Sequence, residues 1–383
     1  MSRPRILVVD DEPAMLQAVE RVLSEFYEVR LFTDGNEALH ALPLLEPDLA
    51  ILDVRMPAMD GFELLGRLQA ERPDLDVILM TGSLNEPDAK LVRAIRAGAF
   101  YFLEKPLNRE VLLTLVERCL ELRRLARQNA LLMGRQQREL DAAREFQLSL
   151  LPREVPGEAA GHVAWGYVPS HELSGDYVDC AWIRNIGISI LVADVAGHGA
   201  PAAMLTSVVK AAFDATRDSD YDPRAVAATV GNTLRSFAPG KFVTLFAARY
   251  HVDSGRFEYV NAGHPPALWV GRTGEVRLLQ STGPIVTSAL PDSSWDGGFV
   301  MLEPDDAVVV YTDGIVEARK DDNEFGIEGL LEVLTGASRE PAPLVARIVE
   351  RVLAFADGGP RDDLTVLCLR GPARRPAAAR ASG

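Results

Sequence analysis

From Leu107 to Leu150 the chain contains no proline and one glycine, Gly134, while Leu, Arg, Glu, Gln and Ala dominate. A stretch of strong helix formers without breakers predicts one long helix, about 65 Å at ~1.5 Å per residue. Pro152 and Pro156 stop it. The 383 residues exceed one ordinary core and fit two domains joined by this connector. Its apolar positions alternate three and four apart through Leu122, Leu125, Leu132, Ala143, Phe146 and Leu150, with Asn129, Gln136 and Glu139 on the same seam. That is a weak heptad of the kind that pairs two parallel helices, a buried polar residue fixing register. A helix packed on its own domains would use the same positions.

Before the helix, short apolar runs recur at Ile6 to Val9, Val29 to Phe32, Leu49 to Leu52, Val77 to Met80 and Phe100 to Leu103. Helical spacing fills the gaps, as in Leu16, Val19, Val22 and Leu23. Five β-α pairs imply an α/β fold, a doubly wound parallel sheet covered on both faces. In such sheets function collects at the carboxyl ends of the strands. Those ends carry Asp10 and Asp11, Asp53, Thr81 and Lys105. Three converging carboxylates would repel one another without a cation, which predicts a Mg²⁺ held by oxygen ligands. Asp53 then suits a nucleophile toward phosphorus, with Lys105 and Thr81 binding the oxygens of the transferred group.

Residues 4 to 120 resemble the receiver domain of two-component response regulators. The resemblance rests on Val8-Val9-Asp10-Asp11-Glu12, Asp53 through Pro57 to Asp60-Gly61, Met80-Thr81-Gly82, Gly98-Ala99 and Lys105-Pro106. It implies that Asp53 is the phosphoacceptor and that Asp10, Asp11 and the Arg55 backbone carbonyl bind Mg²⁺. It further implies that Thr81 and Phe102 form the switch pair, with Tyr101 as the fallback aromatic, and that Lys105-Pro106 is cis. A sensor histidine kinase is the implied phosphodonor.

After the helix the pattern changes to short alternating strands, Gly-rich turns and a few helical stretches such as Pro201 to Asp214 and Pro343 to Phe355. An α+β domain with largely antiparallel sheets is expected. Carboxylates stand beside apolar runs: Asp176, Asp194 after Ile188 to Val192, Asp313 after Val308 to Val310, and Asp362-Asp363 before Leu364 to Leu367. Buried or half-buried carboxylates with no matching Lys or Arg set call for divalent metals. Three scattered cysteines, Cys119, Cys180 and Cys368, and few histidines exclude a zinc or copper site and a disulfide framework, leaving Mg²⁺ or Mn²⁺.

These motifs, with Asn261-Ala262-Gly263-His264-Pro265-Pro266 and Phe325-Gly326, resemble the PPM-type serine phosphatases of the SpoIIE/RsbU group over about residues 143 to 370. The resemblance implies a β-sandwich flanked by helices. In it Asp176 and Asp194 bridge two Mn²⁺ or Mg²⁺ ions, the Val195 backbone carbonyl assists, and Asp313 and Asp362 complete the set. Asp363 is the less suited of its pair, and Asp179 reads as a surface or supporting residue. His198 and His264 are expected to shape loops rather than donate protons. Ser281 to Val286 departs from the group's usual Gly-Leu-Pro-Leu-Gly-like stretch, a difference bearing on specificity rather than catalysis.

A net charge of −15 and a pI near 5.0 disfavour a nucleic-acid partner, whose phosphates need Lys and Arg. Residues 1 to 5 pass straight into an apolar strand, so no signal peptide is expected, and no apolar stretch suggests a membrane span. The expected location is the cytoplasm. The expected organisation is a receiver over 1–120, a helical linker over 121–150, a phosphatase over 151–371 and a disordered tail over 372–383. The implied function is a response regulator in which phospho-Asp53 controls a protein serine phosphatase, acting on a phosphoserine STAS-type protein, an anti-sigma-factor antagonist, as a parallel homodimer. The alternative is an adaptor that uses an idle phosphatase fold to bind a partner.

Overall fold

Successive side chains of the strands before the long helix point to alternate faces of the sheet, and both faces receive helices. The computed structural model describes residues 3–82, 98–152, 160–197, 199–290 and 294–371. Pro156, His198 and the tail over 372–383 lie outside the described residues. The chain divides into two compact units, Met1–Arg135 and Gln136–Gly383.

In the first unit β1 (Arg5–Val9), β2 (Glu28–Phe32), β3 (Leu49–Asp53), β4 (Asp76–Thr81) and β5 (Tyr101–Glu104) form a parallel sheet in the order β2-β1-β3-β4-β5. Ile6, Val8, Ile51, Ile78 and Met80 pack with α1 (Pro13–Leu23) and with Leu112, Val116 and Cys119 of α4 (Arg109–Leu150). Leu7, Val9, Ala50, Leu52, Val77 and Leu79 pack with α2 (Gly35–Leu45) and α3 (Gly61–Glu71). Burial on both faces is why these strands read as unbroken apolar runs. The last strand begins one residue later than expected, because the Phe100 amide bonds to the Val77 carbonyl at 2.8 Å outside the ladder.

The long helix starts at Arg109 because the Asn108 side chain caps it, accepting from the Glu110 amide at 2.9 Å. Buried Arg123 donates to the Asp74 carboxylate at 2.8 Å, and Arg127 lies 3.3 Å from Asp48, so charge adds to apolar packing in seating this end of the helix. No helix among the described residues is long and apolar enough to cross a membrane.

The second unit holds two antiparallel sheets. One is β14 (Gly298–Met301), β10 (Arg256–Ala262), β9 (Phe242–His251), β8 (Gly187–Val195) and β7 (Asp176–Ile183), with β13 (Val286–Thr287) added to β9. The other is β12 (Val276–Leu279), β11 (Ala267–Val270), β15 (Ala307–Tyr311), β18 (Leu364–Arg370) and β6 (Val163–Val168), and β16 (Arg319–Lys320) pairs with β17 (Asn323–Glu324) in a separate hairpin. Val178, Cys180, Ile190, Val192 and Phe246 of the first meet Trp269, Val308, Val310, Leu367 and Leu369 of the second in a central core. The outer face of the first sheet carries α5 (Ala200–Asp214) and α6 (Pro223–Phe237). The outer face of the second carries α8 (Gly326–Leu334) and α9 (Pro341–Phe355). The last helix starts before the expected Pro343, since Pro341 is tolerated in a first turn where amides lack partners. This is the expected sandwich flanked by helices.

Ala143, Gln147, Leu150 and Leu151 form one stripe at the carboxyl end of α4, with Gln147 buried. Leu150 packs on the core under α5 and so belongs to this unit rather than to an inter-helix seam. Leu122, Leu125, Leu132 and Phe146 are exposed.

Candidate functional sites

Strand polarity gathers the first site. Asp10 follows β1, Asp53 ends β3, Thr81 ends β4, and Lys105 follows β5. Carboxylate oxygens of Asp10, Asp11 and Asp53 lie within 4.8 Å of one another. Lys105 Nζ donates to Asp10 Oδ2 at 2.7 Å and sits 3.0 Å from Asp53 Oδ1. Burial raises the Asp53 pKa, with Lys105 pulling against it. Burial works against the Lys105 charge, but its bonds to Asp10 and Asp53 prevail and raise its pKa. The Thr81 hydroxyl is buried without a hydrogen-bond partner among the described residues. Phe102 is partly buried and packs on the α2–α3 side, whereas Tyr101 is half exposed. Lys105-Pro106 is cis, as the motif implied.

The backbone at Asp53 is crowded. A Cβ at Gly61 would fall 2.2 Å from the Asp53 carbonyl oxygen, so glycine is required where α3 begins against the end of β3.

The second site lies at one end of the sandwich. Asp176 and Asp194 share the parity of Val178 and Val192, which places them on the core-facing side of their strands. They are direct partners across β7 and β8. Like charges opposite one another in an antiparallel pair are unfavourable. Asp176 Oδ2 accepts from Thr312 Oγ1 at 2.7 Å and Thr365 Oγ1 at 2.6 Å. Asp313 opens α7 (Asp313–Val316), and a Cβ at Gly314 would lie 2.1 Å from the Asp363 carbonyl oxygen, so glycine lets this turn meet the chain entering β18.

Burial raises the pKa of Asp176 well above the usual carboxyl range, and Asp194 adds to it. Burial, then Asp313, Asp362 and Asp363, push Asp194 up to about 7. Asp313 is raised by burial and by Asp362. Among the described residues no Lys or Arg forms an ion pair with Asp176, Asp194, Asp313 or Asp362. No three of these carboxylates come within the 4.8 Å span of the first site. Ser170, His171, Leu173, Asp194, Gly197, Arg361, Asp362 and Asp363 line a cleft of about 330 Å³. Arg361 was not assigned a role from the sequence; its position beside two carboxylates at a strand end was the available signal.

Asp363 is fully occupied within the fold. Its Oδ1 accepts from the Ser170 amide at 2.7 Å and the Ser170 hydroxyl at 2.9 Å, and its Oδ2 from the Gly175 amide at 3.0 Å. Asp179 is not at the surface. It points to the opposite sheet face from Asp176, is buried, and accepts from Tyr177 Oη at 2.6 Å and Lys210 Nζ at 2.9 Å. His264 is buried, with Nδ1 2.9 Å from Thr244 Oγ1 and its amide bonded to Asn261 Oδ1 at 2.9 Å. Burial depresses its pKa to about 3 despite the neighbouring Tyr311 backbone, to which Nε2 makes no hydrogen bond of ordinary geometry. A neutral, internally bonded ring suits loop shaping. The divergent loop from Ser281 returns through Thr282, whose amide bonds to the Asn261 carbonyl at 2.8 Å, to pair Val286 with Val243 beside the site.

A sheet-end acidic pocket with its own lysine, followed by a two-sheet sandwich with a group of buried carboxylates at one end, defines a response regulator with an enzyme-type output domain. Residues 6–117 match the family described as response regulator receiver domain, and residues 186–372 match the family described as stage II sporulation protein E. The chain belongs to these families domain by domain: it is a receiver domain joined to a SpoIIE-type PPM phosphatase domain.

Phosphoserine phosphatase RsbU of Bacillus subtilis (strain 168) is 28% identical over 236 residues, which cover 61% of this chain and 70% of that one. The transcriptional regulatory protein FixJ of Bradyrhizobium diazoefficiens is 38% identical over 117 residues, covering 30% of this chain and 56% of its own length. The solved SiaA-PP2C domain of Pseudomonas aeruginosa superposes with a TM-score of 0.56 at 22% identity over 63% of this chain and 98% of that domain, a likeness of fold.

Proposed function

We propose that the protein is a metal-dependent protein serine phosphatase controlled by phosphorylation of Asp53, and that it acts on a phosphoserine STAS-type protein, an anti-sigma-factor antagonist. The observation that carries the reading is the Asp176–Asp194 pair, two carboxylates facing each other across adjacent strands with no basic partner among the described residues. Such a pair is tolerable as a cation site and wasteful as anything else. The likeness to RsbU, named a phosphoserine phosphatase, supports the substrate chemistry.

In the receiver, over 1–120, Asp10, Asp11, Asp53 and the Arg55 carbonyl would hold one Mg²⁺, and a sensor histidine kinase would be the phosphodonor. The Thr81 hydroxyl, buried without a partner among the described residues, supports a switch role, because a buried donor lacking an acceptor gains most from a phosphoryl oxygen. Phe102 would follow Thr81. In the phosphatase, over 151–371, Asp176, Asp194, Asp313, Asp362 and the Val195 carbonyl would hold two Mn²⁺ or Mg²⁺. Bound there, the ions would lower the pKa of a water and neutralise charge on the transferring phosphoryl group.

The chain's own groups do the positioning. Thr312 and Thr365 fix one Asp176 oxygen and leave the other for ligation. Arg361 lines the cleft with five donors suited to phosphate oxygens. Asp363 ties the Ser170 and Gly175 loop to β18, keeping Asp176 and Asp362 together. The exposed Leu122, Leu125, Leu132 and Phe146 support pairing of the linker, over 121–150, with a second copy in parallel.

The test is phosphate release from a phosphoserine STAS-type protein with Mn²⁺, for the parent, Asp194→Ala, and the parent treated with beryllofluoride to mimic phospho-Asp53. Asp194→Ala is expected to lose more than about a hundredfold in rate, since loss of a ligand should exceed the effect of losing an outer partner. Beryllofluoride is expected to change the rate in the parent and not in Asp53→Asn. Absence of turnover together with normal partner binding by Asp194→Ala would leave the adaptor in its place.

A further inference from the structure

Gln147 is a buried amide in an otherwise apolar stripe of α4, where a polar group is costly unless bonded. Its bonds all run to the catalytic end of the sandwich. Nε2 donates to the Ser174 carbonyl at 2.6 Å, and Oε1 accepts from the Ser174 amide at 3.1 Å. The side chain therefore grips both backbone groups of one residue, as a neighbouring strand would. Nε2 also lies 3.4 Å from Thr206 Oγ1, on α5. Ser174 in turn accepts the Asp176 amide on its Oγ at 3.0 Å, and the Gly175 carbonyl accepts the Val195 amide at 3.1 Å. Farther along, Tyr177 Oη reaches the Leu150 carbonyl at 3.4 Å. Every residue in this chain of bonds belongs to the unit that starts at Gln136.

We infer that Gln147 is a positioning residue: through Ser174 it sets the loop that carries Asp176, so that ligation by the Asp176–Asp194 pair depends on the linker helix being seated. No other side chain of α4 bonds to this loop among the described residues. A shift of the helix along or about its axis moves the amide away from Ser174, and the loop loses the bonds that hold the Ser174 amide and carbonyl among the described residues. The inference rests on the phosphatase reading for its consequence, though not for the clamp itself.

The test uses full-length Gln147→Met, which keeps the length and apolar contacts of the side chain and removes both bonds. In metal-free protein, the Ser174 amide should exchange with solvent at least about tenfold faster than in the parent, while the β9 amides are unchanged. Mn²⁺ binding, followed by electron paramagnetic resonance, should weaken about tenfold, the lower end for residues that support a ligand. KM for the phosphoprotein should stay within twofold. A role in packing alone would speed exchange throughout the unit and leave the Mn²⁺ affinity of the folded molecules unchanged.

Should the Met variant fail to fold, Gln147→Glu keeps the acceptor for the Ser174 amide and removes the donor to its carbonyl. It should keep that amide protected and still weaken Mn²⁺. Ser174 exchange and Mn²⁺ affinity both within twofold of the parent, in a folded variant, overturn the inference. A parent that binds no Mn²⁺ overturns the phosphatase reading instead, and the exchange arm still decides whether the clamp exists.

Discussion

The two acidic sites solve the same electrostatic problem in different ways. In the receiver, Asp10 and Asp53 share Lys105, at 2.7 and 3.0 Å, so the chain itself offsets one of the three carboxylate charges. In the phosphatase, Asp176, Asp194, Asp313 and Asp362 have no ion-pair partner among the described residues, and Asp194 rises to about 7. A site with its own cation depends less on one supplied from outside. One without it holds protons until a metal displaces them, so metal, pH and stability are coupled more tightly in the second.

Chelation should expose this difference most strongly. At pH 8, Mn²⁺ at about a hundredfold over its Kd should stabilise the phosphatase unit by about 2.7 kcal/mol per site. Removing it should lower that unit's calorimetric transition by several degrees and move the receiver transition far less. Backbone amide exchange would tell which unit melts. Equal shifts in the two would break the comparison, because Lys105 would then be no substitute for an ion.

A smaller effect separates the metal-free states by pH. The folded pKa of Asp194, about 7, lies above the unfolded value of ~4. Its contribution to stability is therefore fully present below ~4 and lost as pH rises through 7. Without metal, the phosphatase unit should weaken between pH 5 and pH 8. Asp194→Asn should remove about 2 kcal/mol of that slope, measured by urea unfolding at both pH values. A slope unchanged in Asp194→Asn would mean that the repulsion is relieved elsewhere.

The receiver site was legible because parallel strands all present the same end, so Asp10, Asp53, Thr81 and Lys105 converge once the five apolar runs are counted. The sandwich was legible in class, and Asp176 and Asp194 as carboxylates beside apolar runs, though not their pairing across β7 and β8. Its supporting bonds were not. Nothing in the spacing of Gln147 says that it meets Ser174, nor that Asp363 turns its carboxylate to Ser170 and Gly175, since those contacts join segments far apart in the chain. The same blindness placed Leu150 on a seam when it packs into its own core. It also left Asp179 open between the surface and a supporting place, because periodicity fixes the sheet face but not what covers it.

Asp179 sharpens the comparison within a single strand. Three residues from Asp176 and on the opposite face, it is equally buried, yet Lys210, Tyr177 and the Cys180 amide satisfy it. Burial raises its pKa, and Tyr177 and Lys210 oppose the rise. Asp179→Asn keeps an acceptor for Tyr177 and leaves Lys210 with Asp214, 2.9 Å away. The cost should be about 1 kcal/mol in urea unfolding, with Mn²⁺ half-saturation within twofold of the parent. A large loss of Mn²⁺ affinity would mean that the two faces of β7 are not independent and that the cation-paired carboxylate also serves the metal-binding end.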